Sequence, residues 1–206
     1  MLYEDKFIAV CVKEAGTDSE AEMPELLKES TGAENIFCVH RLDRAVGGVM
    51  VYAKTSAAAG RLSAAIAGRE LRKEYLAVTE GEAPERGVMR DLLFHDSRKN
   101  KTYVVDRVRR GVKEAALDFR RLSFADGLSL VYITLHTGRS HQIRVQFASR
   151  KLPLVGDGRY GAVRRGNAPA LWSYSLSFPH PVSGKTLSFK KAPPCTAPWD
   201  GFDIVL

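Results

Sequence analysis

Short runs of apolar residues, broken by Gly, Pro and charge, divide this chain into a mixture of predicted strands and helices. Residues 7–12 (FIAVCV) form a β-rich run, and residues 21–29 (AEMPELLKE) predict a helix with Pro24 in its first turn. Residues 36–42 and 49–53 are two further β-like runs, separated by a turn that holds Gly47 and Gly48. The Ala-rich residues 57–69 predict a helix of three turns or more, with Ser56 as its cap.

Residues 75–79 alternate as a strand, with Leu76 and Val78 on the core face and Tyr75 and Ala77 on the other. Between residues 87 and 137 the pattern gives several strands, among them 102–105, 117–122 and 128–135, with Asp126-Gly127 as a hairpin turn between the last two. This is a meander, not a βαβ series. A helix is expected from near Ser140 to about Lys151, bringing Ile143, Val145 and Phe147 toward the core. Residues 152–161 (LPLVGDGRYG) read as a turn-rich loop, and residues 171–178 and 186–189 as a last strand pair around HPVSGK. With no repeat, low-complexity tract or Gly/Ser linker, the expectation is one α+β domain over residues 1–206, built on a mixed or mainly antiparallel sheet.

Composition narrows the function classes. No run approaches the roughly 18 to 20 apolar residues of a membrane span. The opening MLYEDKFIAVCVKEAG carries acids where a signal peptide carries bases, so a cytoplasmic protein is expected. Cys11, Cys38 and Cys195 are odd in number and far apart, and they are expected to be reduced and buried. The five histidines show no ligand spacing, so no metal is expected. The net charge of +7 hides an asymmetry: residues 1–37 hold nine acids against three bases, a net of −6, and the remainder therefore carries about +13. Such a field attracts polyanions, nucleic acid foremost.

Two runs offer chemistry. Asp43 stands in VHRLDRAVGG, at the end of a predicted strand and before a glycine turn, where reactive side chains are often presented. In a strand register it shares a face with Arg41. The second run is Thr137-Gly-Arg-Ser-His-Gln-Ile-Arg. A helix starting near Ser140 aligns Ser140, Arg144 and Phe147, and places Arg139, His141 and Gln142 at an N-terminal end that favours phosphate.

Together these runs resemble the RluA-type pseudouridine synthases, whose hallmark is H-R-L-D followed later by G-R-[ST]-H-Q-I-R. The chain has HRLDR at 40–44, KEYLAV at 73–78, GRSHQIRV at 138–145, LPLVGDGRYG at 152–161 and LSFPHPVSGK at 176–185, in the family's order. The opening LYEDKFIAVCVKEAG is similar to that family's first strand and turn.

The resemblance implies a catalytic domain with flanking helices and a central cleft, acting on RNA without cofactor or metal. Uridine is isomerised to pseudouridine: the base leaves C1′ through N1 and rejoins it through C5. Asp43 matches the catalytic aspartate, which must start ionised to stabilise or capture positive charge at the sugar. Attack at C1′ and removal of a C2′ proton both remain open. Arg144 matches the arginine that pairs with the aspartate and favours its charged form. Tyr75 matches the tyrosine that stacks on the target base and assists proton removal at C5. Arg41 matches the arginine that fills the space of the everted nucleotide. Arg44, Arg139, His141 and Gln142 are expected RNA contacts. Residues 98–113 hold seven bases against Asp106 and could track phosphates.

The chain also departs from the family pattern. Ala45-Val46-Gly47-Gly48 replaces a Thr-Ser-Gly-like turn, Lys13-Glu14 replaces Lys-Pro, and Leu171-Trp172-Ser173 replaces Leu-His-Ala. No small N-terminal RNA-binding domain is expected before residue 1, so RNA selection would rest on the catalytic domain. Two other classes compete with the isomerase. One is a catalytically silent RNA-binding module of the same fold. The other is a glycoside or nucleoside hydrolase, which usually needs two carboxylates roughly 5 to 9.5 Å apart; no second acid lies in a recognised block.

Overall fold

The computed structural model describes residues 1–204. Along the chain come β1 (Tyr3–Glu4), β2 (Ile8–Lys13), α1 (Glu22–Thr31), β3 (Phe37–Cys38), β4 (Gly47–Ala53) and α2 (Ser56–Ala67). A run of strands follows: β5 (Arg72–Glu80), β6 (Arg86–Asp96), β7 (Lys101–Val105), β8 (Val112–Ala125) and β9 (Leu128–Leu135). The short helix α3 (Gln142–Ala148), a 3-10 turn at Gly158–Tyr160, and the strands β10 (Leu171–Pro179) and β11 (Thr186–Lys190) complete the α+β pattern. No helix among the described residues is long and apolar enough to cross a membrane.

Two compact units result. The first joins Met1–Lys73 to Ser173–Pro193, and the second holds Glu74–Trp172 and the segment from Pro194 onward. The chain passes between them within β5, within β10 and again after Pro193.

In the first unit β2 runs antiparallel to both β1 and β4, pairing Ile8 with Ala53 and Lys13 with Gly48, and β10 and β11 form an antiparallel hairpin. Ile8, Val10, Val49 and Val51 pack with Leu176 and Phe178 against Ala58 and Leu62 of α2. Full burial of a side chain such as Leu62 is worth about 2 kcal/mol. Gly48 is required where it stands. Its φ is +127°, and a Cβ there would lie 2.3 Å from the Ser173 carbonyl oxygen.

Helix α1 is held at its start by Asp18, whose carboxylate accepts from the N–H groups of Glu20 and Ala21, and it ends on left-handed Gly32. Pro24 occupies the first turn as expected. The cap of α2 is Thr55 and not Ser56: the Thr55 hydroxyl accepts from the Ala58 N–H, and Ser56 is already helical.

In the second unit the strands lie in the order β5-β9-β8-β6-β7, and the β6–β7, β6–β8 and β8–β9 pairs are antiparallel. Asp126 and Gly127, with φ of +53° and +74°, turn the β8–β9 hairpin. Phe119 of β8 meets Phe147 of α3 edge-on, with centroids 5.2 Å apart.

Three further expectations need correction. The strand expected over residues 36–42 stops at Cys38. Beyond it the backbone finds partners outside any ladder: the His40 carbonyl accepts from the Cys38 thiol, the Leu42 carbonyl from the Ser19 hydroxyl, and the Arg44 carbonyl from Lys13, while the His40 imidazole accepts from the Val51 N–H of β4. Asp43 and Arg41 therefore share no strand face. The helix expected from Ser140 begins at Gln142 and has seven residues, because His141 adopts a left-handed conformation at φ +53°. Such a helix offers no developed N-terminal dipole. The cysteines are all free, but only Cys11 is buried; Cys38 is half-buried and Cys195 exposed.

Candidate active-site residues

Asp43 opens a tight turn in which its carbonyl accepts from the Val46 N–H at 2.8 Å. What fixes this turn is Lys13, whose side chain is fully buried. Its ammonium donates to the carbonyls of Glu14, Thr17 and Arg44 at 3.0, 2.8 and 3.1 Å. Burial pulls the Lys13 ammonium down to about 8, against the opposing pull of Asp18 and Asp43.

His40 is buried, and burial, reinforced by the Lys73 charge, lowers its pKa well below the usual imidazole range. The neutral ring is the form that can accept the Val51 N–H. Arg41 is exposed and pairs with Glu20 at 2.9 Å. Arg44, also exposed, donates to the Gly16 carbonyl and pairs with Glu22. Each arginine therefore exchanges a partner within its own unit if it is to meet a phosphate.

In the second unit Tyr75 lies on β5 with only 5% of its surface exposed, and the residues that follow through Thr79 are fully buried. Both faces of this strand are covered, not the core face alone. Arg144 projects from α3 into a buried, two-pronged ion pair. Its Nε and Nη2 donate to the two carboxylate oxygens of Asp157 at 2.7 and 2.9 Å. The face of the same guanidinium lies 5.1 Å from the centre of the Tyr160 ring.

Tyr160 is fixed in turn. Its hydroxyl oxygen accepts from the Thr102 N–H at 2.8 Å and lies 2.9 Å from Nδ1 of His141. Burial, partly offset by the Thr102 N–H and the Arg144 charge, keeps the Tyr160 hydroxyl protonated above the ordinary phenol range.

The other expected RNA contacts also have hydrogen-bond partners within the second unit. Gln142 is buried: its carbonyl oxygen accepts from the Thr137 hydroxyl and the Arg139 N–H, and its amide nitrogen donates to the Ala116 carbonyl. Arg139 is exposed and donates through Nε to the Glu114 carbonyl. Within the basic run, Arg109 stacks on Phe94 at 4.9 Å, and Lys101 lies 5.4 Å from the Tyr160 ring centre. Among the described residues no group of three His, Cys, Asp or Glu side chains could hold a metal ion.

Sequence reasoning passed over Lys13, Asp157 and Tyr160. The first stood in the aligned opening turn and the other two in GDGRYG, a block used only for its order in the chain. The signal in both places was a charged or hydroxylated residue inside a glycine-containing turn.

The family described as RNA pseudouridylate synthase matches residues 9–149. The ribosomal large subunit pseudouridine synthase D of Neisseria meningitidis is 35% identical over 165 residues, covering 74% of this chain and 44% of that protein. An uncharacterized RNA pseudouridine synthase of Aquifex aeolicus is 32% identical over 226 residues, covering 95% of this chain and 70% of the relative. The chain thus spans less than half the length of the Neisseria relative. Among solved structures, human RNA pseudouridylate synthase domain containing 1 is similar with a TM-score of 0.82 at 23% identity, covering 95% of this chain and 83% of that one. Human RNA pseudouridylate synthase domain containing 4 has a TM-score of 0.78 at 24% identity, covering 94% and 88%. Those two likenesses give the fold, and the sequence matches give the lineage: this chain belongs to the RNA pseudouridylate synthase family.

Proposed function

We propose that residues 1–206 act as a catalytic domain that isomerises uridine to pseudouridine in RNA, in the cytoplasm. The observation that carries this reading is that the family match over residues 9–149 includes Asp43, Tyr75 and Arg144, each of the residue type the chemistry needs. Large-subunit ribosomal RNA is the first substrate to test, because the relatives named as synthase D act there. Transfer RNA is the second.

The reaction is an isomerisation with no net gain or loss of atoms. The N1–C1′ bond breaks, the base turns, C1′ bonds to C5, the C5 proton leaves, and N1 gains a proton. Asp43, ionised, either bonds to C1′ and is displaced when C5 bonds there, or takes the C2′ proton to give a glycal and returns it to C2′ as C5 bonds to C1′; Arg144 serves as its counter-ion, and Tyr75 stacks on the base and assists loss of the C5 proton. Everting the nucleotide costs a few kcal/mol, toward which Arg41 contributes by occupying the vacated stack. Arg44, Arg139, His141 and the basic residues 98–113 meet phosphates.

The test is incubation of ribosomal and transfer RNA with wild type, Asp43→Asn and Asp43→Ala, followed by pseudouridine detection. Product from wild type alone is expected. Equal product from all three removes Asp43 from the mechanism, and RNA binding without product from wild type favours the silent binding module.

A further inference from the structure

Arg144 is gripped on two sides by residues to which no role has been given above. Asp157 holds its edge and the Tyr160 ring holds its face. We propose that Asp157 is the positioning residue of Arg144, fixing the orientation of the guanidinium and offsetting part of its charge. This rests on the role given to Arg144 under the proposed function.

The geometry leads there in three steps. The two side chains are 7% and 1% exposed, so neither meets solvent that could take the other's place. A two-pronged pair through Nε and Nη2 also fixes rotation about the last side-chain bond, which a single hydrogen bond does not. Asp157 takes two of the five guanidinium N–H bonds, so the direction of the other three is set by it.

Asp157 is itself held rigidly. It stands at the start of the 3-10 turn, and its carbonyl accepts from the N–H groups of Tyr160 and Ala162. The same turn ties to the β6–β7 hairpin, where Arg159 donates to the carbonyls of Lys99 and Asn100 at 3.0 Å. The guanidinium is thereby referenced to two elements of the second unit and not to α3 alone.

The electrostatic consequence is specific. A carboxylate paired to Arg144 reduces the positive field that a second carboxylate feels. Asp157→Asn keeps the shape and one acceptor oxygen but removes the negative charge. If Arg144 is the counter-ion of the catalytic aspartate, that aspartate should then hold its proton less tightly, and the acid limb of the rate profile should move to lower pH.

The experiment measures pseudouridine formation by wild type, Asp157→Asn and Asp157→Glu across pH, together with the Nε–H resonance of Arg144 in 15N-labelled protein. We expect Asp157→Asn to lower kcat by on the order of a hundredfold with KM little changed, the cost of a guanidinium set off its productive angle. We also expect its acid limb to fall at lower pH, and the wild-type Nε–H to exchange with water at least about tenfold more slowly than that of an exposed arginine. A kcat within about threefold of wild type and an unmoved acid limb would overturn the proposal. So would a wild-type Nε–H that exchanges like an exposed one. Should Asp157→Asn not fold, the wild-type resonance and Asp157→Glu decide the matter. Should wild type form no pseudouridine, the proposed function fails, and the resonance still decides whether Asp157 holds Arg144.

Discussion

The buried ammonium of Lys13 donates to the carbonyl of Arg44, 31 residues further along, at 3.1 Å. Together with the Gly16 N–H, which donates to the same carbonyl at 2.8 Å, it closes the turn that begins at Asp43. Lys13→Met leaves three carbonyls without their charged donor, and destabilisation by about 2 to 4 kcal/mol is expected. For a chain of this size that lowers Tm by roughly 5 to 15 °C. Thermal melting checks the size of the loss, and faster hydrogen exchange at Gly16 checks its place. An unchanged melting curve would mean that the clamp contributes nothing.

His40 supplies a pH dependence. Its folded pKa lies well below the ordinary imidazole value of 6.5 because it is buried, whereas in the unfolded chain it titrates normally. The unfolded state therefore binds the extra proton as pH falls below about 6.5. The stability tied to the neutral ring is complete above that pH and declines by about 1.4 kcal/mol per unit below it, until the folded ring itself titrates. In denaturant melts between pH 7.5 and 4.5 wild type should lose stability relative to His40→Gln, which has no proton to gain. Parallel curves for the two proteins would contradict this assignment.

How much could be read from the chain alone depended on how local the cause was. Asp126-Gly127 was legible because a primed turn is specified by its own two residues, and the β10–β11 pair was legible through strand runs flanking a turn-rich segment. The region after Cys38 was not. Its apolar pattern reads as strand through Leu42, but Lys13 and Ser19 supply partners that take its carbonyls out of a ladder, and neither is a sequence neighbour. The start of α3 misled for a similar reason. Ser140 is a good cap by type, yet its carbonyl accepts from the Thr102 hydroxyl while His141 turns left-handed, so the helix begins two residues later. Asp43, Tyr75 and Arg144 were singled out through their motifs alone. Asp157 was hidden because a carboxylate in a glycine turn looks solvated until its arginine is seen beside it.

Asp5 fixes an acid-side limit to stability. Its carboxylate accepts from the N–H groups of Phe7 and Ile8 at 2.7 and 2.8 Å, pairs with His180 at 2.7 Å, and accepts from the Tyr3 hydroxyl. Partial burial raises its pKa, but these hydrogen bonds outweigh it and the net value is lowered. For a carboxyl group whose folded pKa is depressed, the associated stability is full above the unfolded value near 3.9 and is lost as pH falls through the folded value. Asp5→Asn should be less stable than wild type at pH 6, with the difference narrowing below pH 4. A difference that is constant with pH would assign the effect to packing and not to charge.

Tyr160 separates two ways of holding Arg144. Tyr160→Phe keeps the ring under the guanidinium and deletes only the hydroxyl, leaving the Thr102 N–H and the His141 ring without that partner, at a cost of about 1 to 2 kcal/mol. Tyr160→Leu also removes the aromatic face, 5.1 Å from the guanidinium, worth about 0.5 to 2 kcal/mol more. If the face matters to Arg144, the slow exchange of its Nε–H should survive in Tyr160→Phe and be reduced in Tyr160→Leu, while Thr102 exchanges faster in both. If Asp157 alone suffices, the Nε–H stays slow in both variants while Asp157→Asn loses it. The order of the three variants in a single exchange experiment therefore divides the restraint on Arg144 between its edge and its face.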